Sequence, residues 1–192
     1  MMKMMKRLFL SFLELVEFAL IAIGAVILIR NFLAQPFLVN GSSMVPSFYS
    51  GDYLIVDELT YRFREPKRGE VVVFQFQKGG QEGVTTYFIK RIIALPGETI
   101  QIKDGKVKIF NKSHPEGFLL SEAYLTPGIK TGGEVTRTLG DDEYFVLGDN
   151  RPYSYDSRSW GSVRREQIVG IVRFRLWPLR SVHAFAAPSY GE

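Results

Sequence analysis

From Leu8 to Ile29 the chain reads LFLSFLELVEFALIAIGAVILI, and a run this apolar has to be covered by protein or by lipid. Coiled as a helix it rises about 33 Å, enough to cross a hydrocarbon core of about 30 Å. Glu14 and Glu17 interrupt it and leave only Phe18 to Ile29 without charge, a length that also suits a buried core helix or the core of a leader segment. Three features favour an anchor. Lys3, Lys6 and Arg7 precede the run, FLAQPFLV continues it past Arg30, and both glutamates sit toward the basic end, where headgroups and lysines can meet them. A cleaved leader is disfavoured because no small-x-small site follows closely, Ala34 standing alone among large neighbours. The reading is a cytoplasmic amino terminus over residues 1–7, a single transmembrane helix over 8–33, and an outward-facing domain over 34–192.

Beyond Pro36 the pattern changes to short runs rich in Val, Ile, Phe and Tyr, separated by turn residues. They are DYLIVDEL (Asp52 to Leu59), GEVVVFQF (Gly69 to Phe76), TTYFIKRIIAL (Thr85 to Leu95), EYFVLGD (Glu143 to Asp149) and IVGIVRFRLW (Ile168 to Trp177). In TIQIKDGKVKIF, Ile100 and Ile102 alternate with polar residues, Asp104-Gly105 supplies a two-residue turn, and Val107 and Ile109 alternate back, which predicts a β-hairpin. Between Asn111 and Gly140, dispersed Gly, Pro, Ser and Thr mark loops or a small polar excursion from the main sheet. The expected fold is mainly β, with one sizeable core, as 192 residues that are 46% hydrophobic allow.

Composition removes several chemistries. Without cysteine there is no thiol nucleophile, disulfide or thiolate zinc site. Two histidines, His114 and His183, are too few for a histidine-rich metal site, so no metal is expected. The net charge of +4 is spread out, and no basic block follows the aromatics of an RNA-binding motif, so nucleic acid is not an expected partner. Hydroxyl chemistry remains. GSSMVPS, Gly41 to Ser47, offers a serine just past the anchor, although a Ser-Ser pair between Gly and Pro is also ordinary turn material.

A serine that attacks needs a base, and neither His114 in the loop-like excursion nor His183 near the carboxyl end is well placed. YFIKRIIALPG instead puts Lys90 inside an apolar strand, on the face it shares with Phe88 and Ile92. Burial there would lower its pKa from about 10.4 and free its lone pair. Equally, Lys90 and Arg91 suit strand-edge charges that guard against aggregation. In GDNRPYSYDSRSWG, Gly148 to Gly161, the side chains of Asn150, Ser154, Asp156 and Arg158 can hold one another. The stretch is either a polar loop with a surface ion pair contributing at most about 1 kcal/mol, or a support in which the Ser154 hydroxyl orients a neutral lysine.

Taken together, GSSMVPS, GDYLIVDEL, RGEVVVF, YFIKRIIALPGE and GDNRPYSYDSRSWG, in that order behind an amino-terminal anchor, resemble the type I signal peptidases. These are membrane-bound Ser-Lys endopeptidases that remove signal peptides from exported proteins. The likeness runs from about Pro36 to Gly161, and VGIVRFRLWPL suits the family's last strand. It implies a signal-peptidase-like fold of short antiparallel sheets behind one transmembrane helix, with Ser43 as nucleophile and Lys90 as general base. It further implies that Ser154 orients the lysine and that Asp156 and Arg158 form a structural ion pair beside the site. Two departures carry expectations of their own. Where some members place a serine hydroxyl in the oxyanion hole, this chain has Gly41, so the hole would rest on the Ser43 backbone N–H and one more donor from the Gly41 region or Ser42. Where the family usually has an acidic residue, Pro152 removes a backbone donor and implies a rearranged turn.

The resemblance also implies that an extended preprotein segment adds as a strand near residues 35–40 and 87–90. Its small side chains, at the first and third positions before the cut, would enter pockets lined by Phe37, Val39, Met44, Phe88 and Ile89. No cofactor or metal is implied. The expected partners are preproteins with signal peptides and membrane lipid, and the expected location is the plasma (inner) membrane, single-pass, with the amino terminus cytoplasmic. The alternative is a catalytically inactive, membrane-anchored β-domain of the same fold that serves as a binding module. A cytoplasmic self-cleaving repressor relative would need a helix-turn-helix domain ahead of Ser43, and the sequence suggests none there.

Overall fold

The computed structural model describes residues 2–32, 34–76, 86–188 and 190. It opens with helix α1 (Met2–Phe32). The apolar side chains described between Leu10 and Val26 are exposed almost throughout, Phe18 at 75% and Leu15 at 67%, so none of the described residues covers them. Among the described residues no helix is long and apolar enough to cross a membrane. Of the span expected over 8–33 the structure therefore supports the helix and its uncovered apolar surface, but not a membrane crossing. Leu33, together with the side chains of Leu8, Phe9 and residues 27–32, lies outside the described residues.

The β-domain carries twelve described strands, every pair antiparallel. They are β1 (Ala34–Leu38), β2 (Tyr53–Asp57), β3 (Val71–Phe76), β4 (Thr86–Ala94), β5 (Thr99–Lys103), β6 (Lys106–Phe110), β7 (Phe118–Leu119), β8 (Val135–Thr138), β9 (Glu143–Leu147), β10 (Val163–Arg164), β11 (Ile168–Trp177) and β12 (His183–Ala184). The larger sheet runs β1-β2-β11-β3-β4-β9-β10, with β12 added to β11. Its central strand β3 explains the unbroken VVVF of the sequence. Val71 and Val73 enter a core with Met44, Phe48 and Leu54, while Val72 and Phe74 enter another with Ile92, Tyr144 and Ile171. A strand buried on both faces has no reason to alternate.

The predicted hairpin is β5 and β6, with Asp104 at φ 52° and Gly105 at φ 78°, the left-handed pair that a tight two-residue turn requires. The stretch 111–140, read as loops or a small polar excursion from the main sheet, supplies both flanking strands of this smaller sheet, ordered β7-β6-β5-β8. They escaped notice because β7 has two residues and β8, VTRT, is mostly exposed and shows no apolar alternation. Ile93, Ala94, Phe145 and Leu147 from the large sheet join Ile100, Ile102, Val107 and Ile109 in a shared core, so the two sheets form one body.

Candidate active site

The loop between β1 and β2 is tied at its base, where Val39 N–H donates to Asp52 O and Gly51 N–H to Val39 O, both at 2.9 Å. Inside it Met44 and Phe48 are buried in the core at 1% and 0% exposure, and Phe48 N–H donates to Met44 O at 2.9 Å. Driving Met44 inward leaves its neighbour Ser43 at the surface of the turn. Gly41, two residues earlier, has φ +109°, a backbone state in which a side chain would be strained, so glycine suits this turn better than the serine some family members carry.

Lys90 comes from β4, where it pairs with Val72 of β3 and is 4% exposed. Its Nζ lies 2.7 Å from Ser43 Oγ and donates to Ile89 O at 2.8 Å, with the Phe88 ring centre 5.4 Å away. Burial pushes its pKa from the ordinary 10.5 down to about 8, against the upward pull of Asp156 and Asp149. An amine poised near neutrality and touching a hydroxyl can take that hydroxyl's proton.

Asp156 is fully buried and accepts from Arg158 Nε and Nη2, each at 2.8 Å, and from Gly148 N–H at 3.1 Å. The pair is thus interior, unlike the surface pair the sequence also allowed, and it starts the short helix α2 (Ser157–Trp160). Ser154 is brought to the site, but its Oγ is buried without a partner among the described residues and makes no hydrogen bond to Lys90. Pro152 lies in a 3-10 turn, Arg151–Tyr153, at a position where a missing N–H costs nothing. Gly148 is required by contact. A Cβ there would fall 2.5 Å from Ser43 O and 2.1 Å from Ser154 Oγ, and the former is backbone that cannot yield. Gly148→Ala is expected to displace the Ser43 turn and lower stability by about 1 to 3 kcal/mol, read by denaturant melts.

Arg91–Asp149 and Arg151–Glu122 are ion pairs beside the site that the sequence reading did not name. Arg91 sends Nε and Nη2 to Asp149 at 2.8 and 2.6 Å and Nη1 to Gly69 O at 2.8 Å, while Ser47 Oγ donates to Asp149 at 2.5 Å. Arg151, 1% exposed, pairs with Glu122, bonds Thr131 Oγ1 and donates to Gly148 O at 3.1 Å. The available signal was opposite charge inside apolar runs, Arg91 in FIKRIIAL and Asp149 after YFVLG, because charges buried together must pair.

Ser43 and Lys90 open onto a cleft of about 330 Å³, whose lining includes Phe37, Val39, Phe88 and Ile89, with Gly41 and Ser42 beside them. Met44, expected in the lining, sits in the core instead. Tyr87, Tyr153 and Tyr155 also line it, aromatic residues within the quoted motifs to which the sequence reading gave no wall role of their own. No cluster of His, Asp or Glu suited to a metal occurs among the described residues.

The protein family described as signal peptidase, peptidase S26, matches residues 12–177. A probable signal peptidase I-2 of Synechocystis sp. is 38% identical over 174 residues, which cover 90% of this chain and 76% of that protein. A signal peptidase I of Bacillus licheniformis is 34% identical over 182 residues, covering 90% of this chain and 92% of that one. The crystal structure of a signal peptidase I from Enterococcus faecalis aligns with a TM-score of 0.43 at 29% identity, over 56% of this chain and 97% of that one.

Proposed function

Since the chain belongs to the signal peptidases of the peptidase S26 family, we propose that it cuts signal peptides as a membrane-anchored endopeptidase with Ser43 as nucleophile and Lys90 as general base. Signal-peptide cleavage by a serine peptidase is the family's activity. The residue roles and the anchor are our reading. The observation that carries it is the 2.7 Å contact between a buried amine and a hydroxyl on the wall of a cleft.

Ser43 Oγ attacks the scissile carbonyl while Lys90 Nζ takes its proton. The resulting ammonium passes that proton to the leaving amine as the peptide bond breaks. Lys90, neutral again, then takes a proton from water, whose oxygen attacks the acyl-enzyme, and returns that proton to Ser43 Oγ as the ester bond breaks. The Ser43 N–H is a donor for the oxyanion, with Ser42 or the Gly41 backbone as the second. In the free enzyme the amine is aimed by the Ile89 carbonyl rather than by Ser154, while Asp156 and Arg158 hold the Gly148 backbone against the nucleophile's turn. A substrate strand lies between β1 and the start of β4, with small side chains toward Phe37, Val39, Phe88 and Ile89.

The uncovered apolar surface of α1 supports lipid as its partner, with the β-domain on the outer face of the plasma membrane. Holding enzyme and preprotein at one surface raises their effective concentration. Full-length protein is expected to stay with membranes through an alkaline carbonate wash, and its release would remove the anchor. The dyad is tested by pH. Below about 8 Lys90 is mostly protonated and its lone pair is occupied, so kcat/KM is expected to rise about tenfold per pH unit up to that point and level above it. A profile flat from pH 6 to 9 on a purified preprotein excludes the lysine as base.

A further inference from the structure

Asn150 has no role in the mechanism above, yet one residue holds the backbone on both sides of the nucleophile's α-carbon. Its Nδ2 donates to Ser42 O at 3.0 Å, and its backbone N–H donates to Ser43 O at 2.9 Å. Val45 N–H adds a bond to Ser42 O at 3.2 Å. We infer that Asn150 is a positioning residue that fixes the plane of the Ser42–Ser43 peptide and thereby aims the Ser43 N–H at the oxygen that becomes negative during acyl transfer. The inference rests on the reading of Ser43 as nucleophile.

The argument is geometric. In a trans peptide the carbonyl and the N–H point in opposite directions, so gripping Ser42 O determines where the Ser43 N–H points. Among the described residues that N–H meets no acceptor, which leaves it available to substrate. Were the plane to turn over, the Ser42 carbonyl would present an acceptor to a developing anion and repel it. The Asn150 bond spans 108 positions of sequence, so it adds a tertiary hold to the local one from Val45. Asn150 is itself held rigid. Asp149 before it is locked to Arg91 and Ser47, Arg151 after it is buried against Glu122, and Tyr153 N–H donates to Asn150 O at 2.9 Å. A donor supported from both sides keeps its aim without reorganising as charge develops.

The test uses the full chain in detergent with a purified preprotein, comparing Asn150→Ala and the isosteric Asn150→Asp with the unchanged protein. Both variants are expected to lose about tenfold to a hundredfold in kcat, the Asp variant more because it turns a second acceptor on Ser42 O, while KM stays within about twofold. In Asn150→Ala the midpoint of the pH-rate profile stays where it was, since the lysine is untouched. A peptide aldehyde that forms a tetrahedral adduct on Ser43 is expected to weaken in proportion to kcat, and an uncleavable substrate peptide to bind as before. A kcat within twofold of the unchanged protein in the Asp variant overturns the inference. So does a loss carried by KM, by the uncleavable peptide or by the thermal midpoint alone. Ser43→Ala runs alongside: if it still cleaves, the reading of the site has failed, whereas an inactive Ser43→Ala with a fully active Asn150→Asp rejects only the positioning role.

Discussion

Replacing Ser43 by alanine is expected to lower kcat by at least about ten-thousandfold while leaving the fold intact. The side chain contributes little to packing, since the turn is held by Met44 and Phe48 in the core and by main-chain bonds at Val39 and Gly51. Deleting Oγ removes one contact of Lys90, whose amine keeps the Ile89 carbonyl. On the proposed mechanism what disappears is the attacking atom, and losses of a nucleophile reach about a millionfold where the rest of the machinery survives. The measurement is turnover of a preprotein beside a thermal melt. Substantial cleavage by a well-folded Ser43→Ala protein would assign the nucleophile elsewhere.

Lys90→Met is expected to be nearly as inactive, and more informative. Methionine fills a similar space without a lone pair or charge, so the loss of base is separated from a loss of packing. The Ser43→Ala, Lys90→Met double variant is expected to be no worse than either single one, because members of a catalytic unit do not add. Stability should move the opposite way. Folding lowers the lysine's pKa to about 8 from an ordinary 10.5, so the unfolded chain binds the extra proton between those values. The burial penalty is complete below about pH 8 and fades as pH rises toward 10.5. Lys90→Met escapes it, so its melting temperature is expected at or above that of the unchanged protein near neutrality, with the margin shrinking at alkaline pH. A variant that lost stability and activity together would make Lys90 a structural residue.

The parts of the molecule legible in the sequence are those whose cause is local. The hairpin at Asp104-Gly105 follows from alternation and a turn that wants positive φ, and β3 from an apolar run too short for a helix. Ser43 and Lys90 could be singled out because an attacking hydroxyl needs a base and Lys90 lies within an apolar run, but the residues alone left an edge-charge reading equally open, and the roles came from the resemblance. Met44 was misplaced because an apolar residue beside a nucleophile suits a pocket wall as well as a core, and only the buried Phe48 one turn later decides between them. For Asn150, Arg151 and Arg91 the sequence supplies the residue but not the contact it makes. Their partners, Ser42, Glu122 and Asp149, lie far along the chain, and a charge paired in the interior has the same letter as one on the surface. In α1 the sequence reads the apolar face, but what covers it belongs to the surroundings rather than to the chain.

The tie from Glu122 and Thr131 to Arg151 bears on how this scaffold can be re-engineered. The stretch that contains those two partners reads in sequence as polar loop and invites grafting or trimming. Any chimaera that replaces it without supplying both would strand a guanidinium in the interior, next to the backbone that shapes the catalytic loop. Donor segments for such swaps are best chosen by whether they carry that carboxylate and hydroxyl, ahead of length or loop composition.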